Sequence, residues 1–192
     1  MPGVLNDRLK KRAIWALKTY DNIPPVLSDF KGRKWNTPKR WKSFVKDLTE
    51  AIYERFWFYF PVMCDGKRAW GVPTRRKLYE KYRCPNGTIK AFRRFMNVRN
   101  FYYYRYGRGG EFASGLYAIL WHLGFDVRLV LSHWYGGSHG KHEVHVEVYN
   151  PWTHRWIPLD PSYPRGYGHV FPLKRKGITK EIKVHIIPKN VS

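Results

Sequence analysis

The sequence predicts an α+β fold, because apolar residues first recur at helical spacing and later alternate with polar ones. Helical spacing covers residues 4–20 and 41–60, and it returns after a glycine-rich stretch at 107–115. Beyond Gly124, valines alternate with charged residues, which is typical of half-buried strands. Helices that precede a run of strands, rather than alternating with them, favour an antiparallel sheet packed on a central helix.

The individual elements follow from local signals along the chain. Residues 4–20 are predicted to form an amphipathic basic helix that Pro24 and Pro25 end. The helix predicted at 41–60 finishes in five consecutive aromatic residues, apolar on all sides and therefore expected to be buried. Glycines open the central helix, and Gly124 is its expected C-cap. Strands are predicted at 127–131, 144–148, 155–159 and 182–187, with a loop at 132–141 and a turn at 150–153.

Composition indicates a folded, strongly basic protein. The 192 residues are 43% hydrophobic and 18% aromatic, which excludes a disordered basic tail. The formal net charge of +22 is uneven: residues 1–108 carry 26 basic and 8 acidic side chains (+18), and residues 109–192 carry 10 and 6 (+4). A positive field of this size favours polyanionic partners, and we expect nucleic acid rather than a membrane surface.

Cysteine usage and hydropathy bear on where the protein resides. Cys64 and Cys84 are its two cysteines, too few for a secreted disulfide scaffold. The first residues lack the pattern of a signal peptide, and the apolar run at 56–63 is too short to span a bilayer. We expect an intracellular protein, soluble or associated with nucleoprotein, and no membrane partner.

Cations with interleaved aromatic residues, most clearly over residues 28–42, suit contacts to phosphates and stacking on bases. The alternative is that Trp35 and Trp41 pack in the core while the lysines are simply solvated. No helix-turn-helix or zinc finger is evident, so binding is not expected to be sequence-specific. The predicted nucleic-acid contacts are Lys31, Arg33, Lys34, Trp35, Lys39, Arg40, Arg75, Arg76, Lys77, Arg93, Arg94, Arg99, Arg105 and Arg108.

Several short motifs together carry a family resemblance. They are Gly-Arg-Gly-Gly-Glu-Phe-Ala at 107–113, Leu-Gly-Phe-Asp-Val-Arg at 123–128, Val-Glu-Val-Tyr-Asn-Pro at 146–151, Arg155-Trp156 and Asp160-Pro161. In order and spacing they resemble the transglutaminase-like (papain-like) core, most closely the peptide:N-glycanases and the xeroderma pigmentosum group C (XPC) DNA-repair proteins. The resemblance covers roughly residues 56–165. It implies a basic helical N-terminal extension at 1–55 and one compact core at 56–192.

In active members of that family a Cys-His-Asp triad performs nucleophilic catalysis, with the cysteine at the start of the central helix. The resemblance places these three positions on Gly109, Glu143 and Asp160. It therefore implies a catalytically inactive protein that has lost the nucleophile and the base. Ser114 and Cys84 are the alternative nucleophiles. The serine would need a positioned base and an oxyanion hole, and a buried or disulfide-bonded cysteine is the commoner situation.

Two groups of cysteine and histidine residues bear on metal binding. Cys64 and Cys84 lie where the glycanases carry two CxxC halves of a zinc site, but each half keeps one cysteine, so a four-ligand zinc site is not expected. A disulfide between them and two buried thiols both stay open. The other group contains His133, His139, His142 and His145 beside carboxylates, and its spacing fits no standard zinc motif. We expect no cofactor, and His139, His142 and His145 are the candidate ligands if a metal binds.

The sequence therefore predicts a pseudoenzyme that binds nucleic acid without sequence specificity, in DNA repair, packaging or a nucleoprotein assembly. The residues themselves do not separate DNA from RNA, and the resemblance to XPC proteins favours DNA. One alternative is an enzyme with a site rebuilt around Glu143, His145 and Asp160, including a metal-assisted hydrolase. Another is a module that binds peptides or protein partners in the former catalytic cleft.

Overall fold

The computed structural model describes residues 2–58, 62–64, 67–69, 90–91, 106–107, 109–136, 139–170 and 178–188, with side chains over residues 3, 5–56, 109–132, 143–170 and 180–188. Within these residues the helices are α1 (Pro2–Thr19), α2 (Pro38–Arg55) and α3 (Gly109–His122), with a 3-10 helix η1 (Pro25–Phe30). The strands are β1 (Trp57–Phe58), β2 (Val62–Cys64), β3 (Lys67–Ala69), β4 (Lys90–Ala91), β5 (Tyr106–Gly107), β6 (Val127–Gly136), β7 (His139–Asn150), β8 (Arg155–Leu159) and β9 (Ile178–Val184).

The largest sheet among the described strands has four members in the order β8-β7-β6-β9, all antiparallel. A second sheet has the order β3-β2-β4, also antiparallel, and β1 pairs with β5 in parallel. Helices combined with a four-stranded antiparallel sheet confirm the α+β prediction.

The hydrophobic core lies between the helices and one face of the large sheet. Leu9, Ala13 and Ala16 recur every three or four residues, so they share one face of α1, and all three are buried, as is Tyr20 directly after the helix. That face packs against α3 and β9. α3 is buried on all sides from residue 111 to residue 120. The sheet contributes alternate residues from its strands: Val127, Leu129, Leu131, Val146, Val148, Leu159, Ile182 and Val184.

Residues 56–58 of the aromatic run differ from the helix predicted at 41–60, and residues 59–60 lie outside the described part of the chain. α2 ends at Arg55, and Phe56 adopts an extended conformation (φ −101°, ψ 157°) as its C-cap. Trp57 and Phe58 then pair with Tyr106 and Gly107. Aromatic residues fit a pleated sheet at least as well as a helix, and strand pairing satisfies the backbone groups that the helix end leaves open.

The loop predicted at 132–141 is also wrong in extent. β6 and β7 stay paired from Val127–Val148 to Gly136–His139, so the strands continue through most of that segment. β9 begins at residue 178 instead of 182 and pairs with β6 up to Trp134. Glycine and histidine suggested a loop, but ladder hydrogen bonds join backbone groups regardless of side chain and extend the strands.

The end of α3 was predicted correctly at Gly124. This residue has φ 97°, in the left-handed region that glycine tolerates. Phe125 N donates to Leu120 O at 3.0 Å, and Gly124 N donates to Trp121 O at 3.1 Å. These two bonds form a Schellman motif, which satisfies the last carbonyls of the helix.

Candidate functional site

Strand β7 carries a polar face opposite the core. Val144, Val146 and Val148 point toward the helices, so the alternation of a strand places Glu143, His145 and Glu147 on the other face of the sheet. This is the face on which the family resemblance expected the base and the aspartate of a triad.

Asp160 follows β8 at the edge of the sheet and is almost fully buried, at 1% exposure. Its Oδ1 accepts hydrogen bonds from Ser162 Oγ at 2.6 Å and from Ser162 N at 3.1 Å. Its backbone N donates to Gly166 O at 2.9 Å. A Cβ atom at Gly166 would lie 1.9 Å from the Asp160 carbonyl oxygen, so this close backbone approach requires glycine. Asp160 therefore anchors the loop that follows β8.

Gly109 is the first residue of α3 and lies beside that loop. A Cβ atom placed on it would be 3.9 Å from Ser162 Oγ, which is an ordinary van der Waals distance. Ser162 in turn bonds to Asp160, so the structure brings Gly109 and Asp160 close together through one serine. Position 109 has room for a side chain and no group that could act as a nucleophile.

Glu143 is a half-buried acid whose pKa is raised to about 8. Burial is the main cause, because it penalises the charged carboxylate, and the nearby negative charge of Asp160 adds to it. Glu143 is thus a neutral carboxylic acid at pH 7. It occupies the position expected for a histidine base and would need to lose its proton before it could accept one.

His145 lies beside Glu143 on the same face and is 4% exposed. Burial lowers its pKa, although the carboxylates of Glu147, Asp160 and Glu181 act in the opposite direction. Its Nδ1 is buried and has no hydrogen-bond partner within the described part of the chain. The imidazole is therefore neutral and retains hydrogen-bonding capacity.

Glu147 lies further along the same face and belongs to an ion network. Its Oε1 accepts from Arg128 Nε at 2.8 Å and lies 3.2 Å from Lys183 Nζ. Burial would raise its pKa, but the Arg128 hydrogen bond and the two positive charges lower it overall. The Arg128 guanidinium also lies 4.0 Å from the centre of the Trp156 ring. Every charged group in this network has a partner of opposite charge. We therefore assign the network a structural role in the sheet and no catalytic role.

Ser114 and the candidate metal ligands are the other residues predicted to take part in chemistry. Ser114 is fully buried inside α3, and its Oγ donates to Gly110 O at 2.7 Å, so the hydroxyl is engaged by the helix backbone. Among the residues that the structure describes, no three His, Cys, Asp or Glu side chains come together as a metal site. The side chains of His139, His142 and Cys64, and all of Cys84, lie outside the described residues.

The basic segment after η1 is largely solvent-exposed. Lys31, Lys34, Lys39 and Arg40 are exposed. Arg33 is also exposed but engaged: it donates to Asp47 Oδ2 at 2.9 Å, and its guanidinium lies over two phenylalanine rings. The other predicted contacts fall outside the described residues, namely Arg75, Arg76, Lys77, Arg93, Arg94, Arg99, Arg105 and Arg108.

The two tryptophans of this segment have different environments. Trp41 is buried at 1% exposure in the core of α2, as the alternative to base stacking proposed. Trp35 is only half-buried, and its ring packs on Phe125 with centroids 4.1 Å apart. A stacking role is therefore confined to Trp35, and one side of that ring is already occupied.

A cleft of about 320 Å³ lies beside Trp35, and sequence reasoning did not identify it. Its walls come from the segment before η1 (residues 21–23), the segment 30–35, Phe44 of α2 and the last turn of α3. The pattern of cations and aromatic residues in the sequence indicated the segment 30–35. No sequence signal shows that the other parts of the chain lie beside it.

Comparisons with known proteins give no identification. No protein-family model matches the sequence, and no curated protein matches it significantly. The transglutaminase-like assignment therefore rests on the motifs. Among the described helices, none combines the length and the apolar character needed to cross a bilayer.

Proposed function

We propose that this chain is a catalytically inactive transglutaminase-like domain that binds nucleic acid, DNA in preference to RNA, through its basic N-terminal half. The observation that carries the proposal is the segment 31–46, which has seven cations and no carboxylate. Within the described residues only one of the seven, Arg33, forms an ion pair with a carboxylate. The cations are Lys31, Arg33, Lys34, Lys39, Arg40, Lys42 and Lys46.

Three of these lysines form a row on α2. Lys39, Lys42 and Lys46 are exposed and are spaced three and four residues apart, so they lie on one side of the helix. At 1.5 Å per residue the row is about 10 Å long. A row of this length suits contacts to neighbouring phosphates of one strand. This geometry supports contacts to a backbone and provides no reading of base sequence.

The lack of catalysis is supported by the three triad positions. Acyl transfer by the family's route needs a thiolate and a base, and Gly109 and Glu143 supply neither. Asp160 Oδ1 accepts two hydrogen bonds from Ser162.

The test is a mobility-shift titration over a salt series with a short DNA duplex. We compare Lys34→Glu/Lys39→Glu with the matched control Arg155→Glu/Arg165→Glu. All four side chains are exposed and unpaired among the described residues, and both variants change the net charge equally. Each phosphate contact contributes about 0.9 to the slope of log K against log salt. The first variant should reduce the slope by about 1.8, and the control should leave it unchanged.

The outcomes are distinct. A wild-type protein without affinity for DNA or RNA at low salt refutes nucleic-acid binding. Equal slopes for the two variants refute the assignment of the interface to residues 31–46. Tighter binding of RNA than of DNA in the same series would reverse the proposed preference.

A second candidate function is general acid–base catalysis at a rebuilt site. A neutral Glu143 beside Asp160, with His145 unpartnered at Nδ1 among the described residues, places an acid and acceptors together. Turnover of amide or phosphodiester substrates that is lost in Glu143→Gln, with nucleic-acid affinity intact, would favour this function. Without turnover by the wild-type protein, the binding function stands.

A further inference from the structure

The cleft beside Trp35 is lined by parts of the chain that are distant in sequence. Ile23, Ile119 and Leu123 line it with aliphatic side chains. Of its aromatic side chains, Trp35 is half-buried, whereas Phe30 and Phe44 are 3% and 1% exposed and lie under the Arg33 guanidinium. The remaining lining residues are Asp21, Asn22, Lys31, Gly32, Arg33 and His122. A ligand can therefore reach the ring of Trp35 between aliphatic walls, and the rim carries two cations and one carboxylate.

We propose that this cleft accepts one unpaired base of a single-stranded nucleic acid, while Lys31 and Lys34 hold the adjoining phosphates. The proposal rests on the nucleic-acid-binding function above and adds to it a preference for accessible bases. Paired bases within a duplex are stacked and cannot enter.

The dimensions and walls fit a base. A volume of about 320 Å³ lies at the lower end of the 300–1,000 Å³ range of small-ligand sites, which suits a planar ring and part of its sugar. The half-buried ring of Trp35 provides the stacking surface, and an aromatic ring stacks on bases of any sequence because every base has a π-face. The cleft would therefore bind bases without requiring a defined sequence.

The rim of the cleft combines an exposed lysine with accessible backbone. Lys31 is exposed, and Gly32 follows with φ 78° and no side chain, which lets a ligand approach the backbone. Arg33 is paired with Asp47 at 2.9 Å, so its charge is partly offset, and Lys31 is the cation of the rim without an ion pair among the described residues. His122 also lines the cleft, and its Nε2 donates to Leu17 O at 2.8 Å.

The positive charge near the cleft favours a ligand that carries phosphates. Lys31, Arg33 and Trp35 of the cleft belong to the segment 31–46, where seven cations occur without a carboxylate, and Asp21 is the one carboxylate in the lining. A ligand that continues along this segment as a chain of phosphates gains contacts beyond the cleft. An aromatic side chain of a peptide could fill the same volume, but it would bring no phosphate to Lys31 and Lys34. A single-stranded nucleic acid uses both features.

The experiment compares two single strands of about ten nucleotides, a site size typical of such proteins. One strand carries bases and the other carries abasic residues, so they have the same phosphates and charge. Stacking of one base in a protein is worth about 1–3 kcal/mol, so the wild-type protein should bind the strand with bases about tenfold or more tightly.

Filling the cleft should abolish this preference and leave binding of the abasic strand unchanged. Leu123→Trp adds volume inside, and Asn22→Trp covers the exposed rim without replacing a core side chain. Neither variant changes the net charge. Thr153→Trp, on an exposed turn outside the cleft, is the matched control and should keep the preference. Thermal melting of each variant establishes that it is folded.

The results separate this inference from the function on which it rests. If the wild-type protein binds both strands equally, the cleft does not hold a base, although nucleic-acid binding stands. If the preference persists in both filled variants, the base binds elsewhere and the inference is wrong. Absence of binding to either strand overturns the proposed function as well.

Discussion

Replacement of Glu143 by glutamine should remove a specific pH dependence of stability. Glutamine has nearly the same shape as the neutral acid but cannot ionise. The pKa of Glu143 is raised from 4.5 to about 8 in the folded protein. The folded protein therefore keeps a proton on this side chain that the unfolded chain releases above pH 4.5. The stability that this site contributes is complete below pH 4.5 and falls as the pH rises towards 8.

The magnitude follows from linkage. Each pH unit between the two pKa values changes the free energy of unfolding by about 1.4 kcal/mol. The pKa of His145 is lowered from 6.5, so its contribution is lost as the pH falls below 6.5 and does not vary above that value. Between pH 6.5 and 8, the titration of Glu143 therefore changes the free energy of unfolding, and that of His145 does not. Over this window the glutamine variant should gain about 2 kcal/mol relative to the wild-type protein.

The assay is urea unfolding, followed by tryptophan fluorescence at a series of pH values. Glu147→Gln is the matched control on the same face of β7. Because the pKa of Glu147 is lowered, both its folded and unfolded forms are ionised in this window. That variant should lose a constant amount of stability, since Arg128 and Lys183 lose their partner. Parallel stability curves for the wild-type protein and Glu143→Gln from pH 6.5 to 8 would refute a buried neutral acid.

Three further substitutions test local features of the fold and site. Thr37→Ala should cost about 1 kcal/mol in urea unfolding, because the Thr37 side chain caps α2 by accepting from a backbone N–H; no loss would show that the cap is not formed. Gly166→Ala should destabilise by roughly 3 kcal/mol or more, since its Cβ would collide with the Asp160 carbonyl; a neutral effect would contradict that backbone approach. Gly109→Cys should fold normally and react slowly with iodoacetamide at pH 6, whereas Gly109→Cys/Glu143→His should react about tenfold faster, because an imidazole lowers the thiol pKa. Equal rates would show that residues 109 and 143 are too far apart to interact.

The elements that could be predicted from the sequence are those with strong local signals. α1 has apolar residues at a helical period and prolines after it, and α3 ends at a glycine whose conformation few other residues adopt. The aromatic run after Arg55 has no such signal, because a stretch that is apolar on all sides fits a helix or a strand equally well. Pairing with Tyr106–Gly107, almost fifty residues away, decides the outcome.

The same distinction applies to the candidate sites. The alternation of valines with polar residues predicts that Glu143 and His145 share one face of their strand, and the two residues do share it. The role of Ser162, which holds Asp160, had no signal, because a serine two residues after an aspartate is common in turns. Trp41 is buried because it falls on the apolar stripe of α2 with Phe44 and Leu48, a periodicity that was readable in the sequence.

The position of the two sites relative to α3 has a consequence for function. Gly109 is its first residue, and the cleft beside Trp35 includes Ile119 and His122 in its last turn. A helix of 14 residues is about 20 Å long, and residues more than 10 Å apart that share no partner contribute almost independently to free energy. Substitutions at Gly109 or Glu143 should therefore leave the preference for strands with bases unchanged, and Leu123→Trp should leave the pH dependence from Glu143 intact. A double variant that departs from additivity by more than about 0.5 kcal/mol would show that α3 couples its two ends, and the region of Gly109 and Glu143 would then influence binding.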